Sequence, residues 1–261
     1  MKRLLAILLL FSALSAAGQA RPEITLDLIR QRDLSMLWTG PIPLIDREDT
    51  TTLEWVGRFE PLGYIGTDFR RFRIHIASIH RSGSDPLTYG LSGKTRTGSN
   101  VCDFEGELHI DSLVTYLAPD EFDEWGGIYG GWRLKGHYTL REDPEQSGTG
   151  VFEGTHIIDI AIDTAGNIYY DTLMLIADGY RNNQWQGTWR SYKTGATKVC
   201  NWGDCRIPDS CELDTGAGEF IPADEYLGNG WQSYRDQFDR DKTVRTKALQ
   251  EENQRWWLYY D

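Results

Sequence analysis

The sequence predicts a mainly β protein: an antiparallel eight-stranded up-and-down barrel with a short N-terminal helix, a disulfide-stapled loop and a C-terminal helix. Three observations predict it. First, between residues 51 and 192 apolar and polar residues alternate in runs bounded by Gly, Asn, Asp or Pro, the pattern of strands with one buried face. Second, one motif recurs, a large residue on either side of Gly with one residue between: Trp55-x-Gly57-x-Phe59, Phe104-x-Gly106-x-Leu108, Leu134-x-Gly136-x-Tyr138, Phe152-x-Gly154-x-His156 and Trp185-x-Gly187-x-Trp189. Third, the connections are short, and sequential strands so joined pair as neighbours. A long twisted meander closes most simply into a barrel, which removes exposed edges. A two-sheet sandwich is the alternative.

Residues 1–20 read as a secretory signal. Lys2 and Arg3 precede an apolar run over 4–14 that is too short to span a bilayer, and Ser-Ala-Ala-Gly-Gln-Ala follows, with cleavage expected near Ala20. No Cys follows the apolar run, which argues against a lipoprotein anchor, and no later run reads as a membrane span. The expected location is secreted or periplasmic. The net charge is -12, and removal of Lys2 and Arg3 takes it to -14. That balance argues against nucleic acid or anionic membrane as a partner.

Residues 21–50 read as an N-terminal helix and linker. Ile24, Leu28, Ile29 and Leu37 supply the apolar positions, Pro22 suits a first helical turn, and Gly40-Pro41-Ile42-Pro43 ends it. The barrel domain spans 51–192, with strands expected at 52–59, 70–80, 87–96, 101–116, 131–141, 149–162, 167–178 and 184–192, and a longer loop at 118–130. Parity assigns the faces. Phe72, Ile74 and Ile76 point inward, as do Phe104, Leu108 and Ile110, and Trp132, Leu134, Tyr138 and Leu140. Glu105 and Glu107 point outward and are expected opposite Arg133 and Lys135. The glycines of the motif lie on the inner face, where a Gly marks a bend or a close backbone approach.

Residues 193–230 carry little periodicity and three of the four cysteines. An even cysteine count in an exported chain argues for two disulfides. The expected pairs are Cys102–Cys200, pinning the loop to the barrel wall, and Cys205–Cys211, tightening its tip. Zinc is disfavoured, because C-x4-C-x5-C lacks a CxxC knuckle and no His lies in the loop. Residues 231–261 read as a helix over 231–252 followed by an aromatic tail that packs against the barrel.

Motifs for catalysis and cofactors are few. Gly93-Lys94-Thr95 resembles the end of a phosphate loop, but the first Gly should fall where Thr88 stands. There is no G-x-S-x-G, H-E-x-x-H or EF-hand loop, and no cofactor or metal is predicted. Asp204, Asp209, Asp214 and Glu219 recur at intervals of five, which fits calcium less well than local backbone acceptors. Glu105, Glu107 and Glu153 face outward, against an inward pair for glycoside hydrolysis. His75, His109 and His137 fall on the polar face. His156 alone shares the apolar face, with Phe152, Ile158 and Ile160. It is either a core histidine bonded to a neighbour such as Tyr138, or the polar anchor of a cavity. Tyr138, His156, Trp185 and Trp189 form the candidate ligand site: large rings with few polar tips. No catalytic residue is assigned.

Gly148-Thr149-Gly150-Val151-Phe152-Glu153-Gly154 resembles the GTG-x-F-x-G stretch of the dirigent and allene oxide cyclase barrels. Gly187-Thr188-Trp189 is similar to the G-x-W of lipocalins, where that motif opens the barrel rather than closing it. Both families are eight-stranded barrels holding small apolar ligands. The resemblance covers about ten residues. It implies the barrel and no catalytic residue, and residues 200–230 have no counterpart. The expected function is therefore a barrel that binds a small apolar ligand or a protein partner. The alternatives are a cyclase or isomerase using His156, and a structural or inhibitory protein with a filled barrel.

Overall fold

The computed structural model describes residues 23–45, 53–117 and 127–258. The expected signal, most of the expected 118–130 loop and the end of the aromatic tail lie outside the described residues. Nine strands form one antiparallel sheet: β3 (Leu62–Ile65), β4 (Arg70–Arg81), β5 (Thr88–Thr97), β6 (Asn100–Leu117), β7 (Ile128–Glu142), β8 (Gly150–Asp163), β9 (Ile168–Tyr170), β10 (Asn182–Ser191) and β11 (Thr197–Asp204). The order is β10-β11-β3-β4-β5-β6-β7-β8-β9, and a further pairing of β10 with β8 closes eight strands into a ring of hydrogen bonds, with β9 as an outlier on β8. Two short strands, β1 (Ile42–Leu44) and β2 (Glu54–Val56), pair with each other in a separate sheet.

Six of the eight expected strands are strands of this ring, and two are not. The run at 52–59 gives only β2, outside the ring. The run at 167–178 gives only β9, after which residues 171–181 hold no strand. Their places are taken by β3 and β11. Neither alternates: all four residues of β3 are buried, and β11 runs from three exposed residues into five buried ones. Both lie under neighbouring segments that cover the outer face, so the period of two that marks a half-exposed strand is missing.

The expected inner face is the core: Phe72, Ile74, Phe104, Leu108, Ile110, Trp132, Leu134, Tyr138 and Leu140 are buried. β6 and β7 are neighbours as expected, but in another register. Glu105 stands opposite Arg141 and Glu107 opposite Thr139, while Arg133 and Lys135 face Val114 and Ser112. The register is set at the hairpin end, where Leu117 faces Gly131, so that Arg141 and not Arg133 or Lys135 comes opposite Glu105; two bulges in β6, one after Ile110 and one after Thr115, shift the count by only one residue each. The motif glycines are close approaches. A Cβ on Gly106, Gly136, Gly154 or Gly187 would lie 2.0–2.2 Å from a carbonyl oxygen of the adjacent strand. Gly57 is the exception, with nothing within 4 Å.

The N-terminal segment crosses onto the core. It forms α1 (Leu26–Arg30), whose N-cap Thr25 accepts from Leu28 N, and α2 (Met36–Thr39), with Leu34, Leu37 and Trp38 buried. The expected C-terminal helix is two: α3 (Gln232–Asp236) and α4 (Lys242–Glu252). Asp241 caps α4 through Thr243 N and Val244 N, the usual job of an Asp before a first turn. α4 is held to β4 by Glu252, which accepts two bonds from Arg71, at 2.7 and 2.6 Å, and one from Arg73 at 3.0 Å. Beyond it Trp256 is buried and Trp257 stacks on His75 at 3.9 Å.

The two expected disulfides are absent: Cys102, Cys200, Cys205 and Cys211 are free thiols. Cys102 sits on β6 and Cys200 on β11, with β3, β4 and β5 between them in the ring, so sequence order misleads about proximity. Cys205 is half-buried and Cys211 is exposed, separated by a turn whose Ile207 is buried in the second core.

Candidate functional site

Three of the four expected ligand residues come together. Tyr138 meets Trp185 edge-on at 4.9 Å, and His156 lies 4.1 Å from Trp185, ring centre to ring centre. Trp202 of β11 stacks on Trp185 at 5.4 Å and closes the group. Trp189 is elsewhere, half-buried, its Nε1 donating to Glu142 Oε2 at 2.9 Å. Tyr138, His156 and Trp185 are fully or almost fully buried, so they are packed on one another.

His156 does not bond to Tyr138, whose hydroxyl is buried without a partner. Its partners are Trp38 Nε1, which donates to His156 Nε2 at 3.2 Å, and Asn183 Oδ1 at 3.0 Å from the same nitrogen. These two contacts compete. A bare Nε2 accepts from Trp38 and faces an oxygen lone pair; a protonated Nε2 donates to Asn183 and orphans the Trp38 N–H. One polar contact in this core is therefore always unmade, at a cost of about 1–3 kcal/mol. Burial pushes the imidazole down to about 3, against the Asn183 contact that raises it, so the ring is neutral.

Asn183 carries the network onward. Its Oδ1 also accepts from Trp185 Nε1 at 2.9 Å, and its Nδ2 donates to Asp204 Oδ2 at 3.2 Å. Tyr170 OH donates to the same oxygen at 2.8 Å and Arg58 Nη1 at 3.3 Å. Burial raises the Asp204 carboxyl to about 6, with Arg58, Tyr170 and Asn183 opposing. Arg58 donates as well to Gly40 O and Leu37 O, tying the N-terminal segment to the buried acid. Asn183 adopts φ 51°, a left-handed conformation that Asn tolerates better than most residues.

Open space lies outside the ring. A cleft of about 430 Å³ runs between β7, β8 and β10 and the segment after β11. Its wall is Arg133, Ile157, Asp159, Gln184 and Gln186, and its other side is Arg206–Asp214. Arg133 forms a bidentate pair with Asp159, at 2.7 and 2.8 Å, and Arg206 pairs with Asp214. Gln184 lies flat over β11. Its Nε2 donates to Asn182 O and Arg206 O, at 3.0 and 2.8 Å, and its Oε1 is buried without a partner among the described residues, as is Arg206 Nε. Gly203 makes this possible, because a Cβ there would sit 2.0 Å from Gln184 Nε2. Cys205, Asp209 and Cys211 all have positive φ, of 64°, 52° and 44°. Three such residues in one short rim is a costly arrangement, and backbone strain of this kind gathers at working sites.

A larger groove of about 960 Å³ lies over β4–β7, bordered by Asp103, Glu105, Glu107 and Glu142. Glu142 is buried and its two oxygens are already taken, by Thr95 Oγ1 on one side and by Gly150 N and Trp189 Nε1 on the other. Neither cleft is lined by Tyr138, His156, Trp185 or Trp189. Among the described residues no group of three or more His, Cys, Asp or Glu is placed to hold a metal ion, and Asp214 serves instead as a backbone acceptor for Gly216 and Ile221. No described helix is long and apolar enough to cross a membrane.

The sequence reading missed Trp38, Arg58, Asn183, Gln184 and Arg206. The Asn182-Asn183-Gln184 run at the head of β10 was a usable signal: three adjacent amides opening a strand have to find partners. No family model, curated protein or solved structure matches the chain.

Proposed function

We propose that this is a secreted or periplasmic β-barrel binding protein whose ligand occupies the cleft between the barrel wall and the segment Arg206–Asp214. The observation that carries the reading is Gln184, 8 % exposed at the cleft with a carbonyl oxygen that no group among the described residues satisfies. A buried polar atom left unpaired is costly, and a bound hydroxyl would relieve it. The lining also sets the ligand class. Arg133, Arg181 and Arg206 balance Asp159, Asp209 and Asp214, so the cleft favours no net charge. The amides at 182, 184 and 186 make the wall polar, with Asn182 and the Gln184 and Gln186 Nε2 groups held by the chain itself, and Ile157, Ile207 and Pro208 offer an apolar ridge. This combination fits a neutral, hydroxyl-rich molecule such as a short saccharide better than the small apolar ligand expected from the sequence.

The test is a glycan array of neutral mono- to tetrasaccharides, followed by titration of any hit against Gln184→Leu. Binding that falls at least tenfold in the variant supports the reading. No binding, or binding indifferent to Gln184→Leu, removes it. The close packing of Tyr138, His156, Trp185 and Trp202 favours a second reading, a structural or inhibitory surface protein with a filled barrel, which expects no ligand in the cleft.

A further inference from the structure

Trp38 is a foreign body in the ring. It belongs to the N-terminal segment and to no ring strand, yet it is 2 % exposed, inside the core. Its indole lies 5.2 Å from Tyr89 and 5.8 Å from His156, ring centre to ring centre, and donates its N–H to His156. Of the four residues expected to line a ligand site it touches one, His156.

The segment that delivers it is lightly held. α1 has five residues and α2 four, too few to be stable as isolated helices. Among the described residues its polar ties to the rest of the chain, besides the Trp38 bond, are Arg81 to Arg30 O, Leu34 N to Tyr89 OH at 3.2 Å, and Arg58 to Leu37 O and Gly40 O. The Trp38 bond to His156 competes with the bond His156 makes to Asn183. Beyond it, His156 Nδ1 and Asp204 Oδ1 are buried without a partner among the described residues.

We propose that residues 33–40 are a displaceable strap, and that the space Trp38 fills against Tyr89 and His156 is a binding site for a flat, uncharged heteroaromatic ligand with an N–H donor, of the indole class. Trp38 is the built-in competitor: it presents the same ring and the same donor. The rings that flank it are Tyr89 and His156, with His156 Nε2 as the acceptor, and a planar ring with one N–H matches them. The site is inside the ring and independent of the external cleft, so saccharide binding and indole binding fail or succeed separately.

The experiment compares indole with indene, which has the same shape and lacks the N–H. In Trp38→Ala, indole should raise the melting temperature and bind at least tenfold more tightly than indene. The preference should vanish in the double variant Trp38→Ala, His156→Phe. Small apolar cavities left by truncation do take up ligands of this size, so the preference for N–H, and not binding itself, is the signal for the His156 contact. In the wild-type chain, whose folding is not at issue, saturating indole should speed amide hydrogen exchange across residues 33–40 while leaving β7 and β8 protected. Equal binding of indole and indene by Trp38→Ala overturns the ligand class. Unchanged exchange at 33–40 in the wild type overturns the strap, and makes Trp38 a permanent core residue.

Discussion

Gly154 stands directly opposite Gly187 across the β8–β10 seam, and each glycine is shaped by the other's strand. A Cβ on Gly154 would sit 2.0 Å from Gln186 O, and one on Gly187 would sit 2.2 Å from Glu153 O. Backbones can approach so closely only where both side chains are missing, and this is the pairing that closes the ring. Gly187→Ala should therefore cost about 3 kcal/mol or more, at the upper end of overpacking substitutions, because a carbonyl cannot swing away as a side chain can. Gly57→Ala is the control. It carries the same sequence motif with nothing within 4 Å, and should be neutral or stabilise slightly. Equal effects in chemical denaturation would mean that the seam is not tight.

That contrast also measures how far the sequence could be read. Alternation found the long strands and their faces, because one face of each is wet and the other dry. It found the motif glycines but could not tell Gly57 from Gly187, since the difference lies in which strand passes behind. It missed β3 and β11, which are covered on both faces at their paired residues and so lose the period of two. Of the candidate site, the grouping of Tyr138, His156 and Trp185 followed from parity. Trp38 did not, because it reaches His156 from 118 residues away through a segment with no strand pattern. The cleft was illegible for a similar reason. Gln184 and Arg206 meet only because β10 and β11 pair, and β11 was read as loop.

The C-terminal helix is held by an ion cluster that can be switched off. Burial alone would raise the Glu252 carboxyl, but hydrogen bonds and charge from Arg71, the charge of Arg73 and the Ser233 hydroxyl outweigh it and hold it at about 2. A carboxylate lowered from 4.5 gives stability that is present above 4.5 and lost as the pH falls through 2, roughly 3 kcal/mol in all. Glu252→Gln should cost about 3–5 kcal/mol at neutral pH, because Arg71 is then left buried beside Trp231 and Tyr234 without its partner. The loss should shrink toward pH 2. Limited proteolysis should cut the variant within Lys242–Glu252 before the sheet. A variant with wild-type stability at pH 7 would show that α4 is held by packing alone.

The four thiols should differ sharply in reactivity. Cys211 is exposed, whereas burial, with help from Glu142, pushes Cys102 up to about 11, and burial, with help from Asp204 and Glu219, pushes Cys205 up to about 12. Cys200 is fully buried, and desolvation raises it well above the ordinary thiol range. The thiolate is the reactive form, so iodoacetamide at pH 8 should label Cys211 first and leave Cys102 and Cys200 untouched until the chain is unfolded. In denaturant without reductant all four should label. Intact mass spectrometry counts the adducts, and two or four unlabelled cysteines in the denatured protein would show that disulfides form in solution.

His156 and Asp204 should pull the pH dependence of stability in opposite directions. His156 is lowered from 6.5 to about 3, so the unfolded chain takes up its proton first. Its contribution is complete above 6.5 and erodes as the pH falls toward 3. Asp204 is raised from 3.8 to about 6, so the folded chain takes up its proton first, and stability is gained as the pH falls from 6 to 3.8. Between pH 6 and 4 the two largely cancel in the wild type. Substitution exposes each in turn. Relative to wild type, His156→Phe should gain stability on acidification from pH 6 to 4, by roughly 2–3 kcal/mol, because the histidine's penalty is gone. Asp204→Asn should do the reverse over the same window: it lacks the proton uptake that favours the folded wild type in acid, and it compares best with wild type at pH 7, where the buried charge is most costly. Reference to wild type removes the similar contribution of Asp171, also raised to about 6 by burial. Urea titrations at pH 4, 5, 6 and 7 give the two difference curves. Opposite slopes confirm that Trp38, Asn183 and Arg58 surround two groups that titrate against each other; parallel curves would mean that water reaches one of them, and that the polar core is not closed.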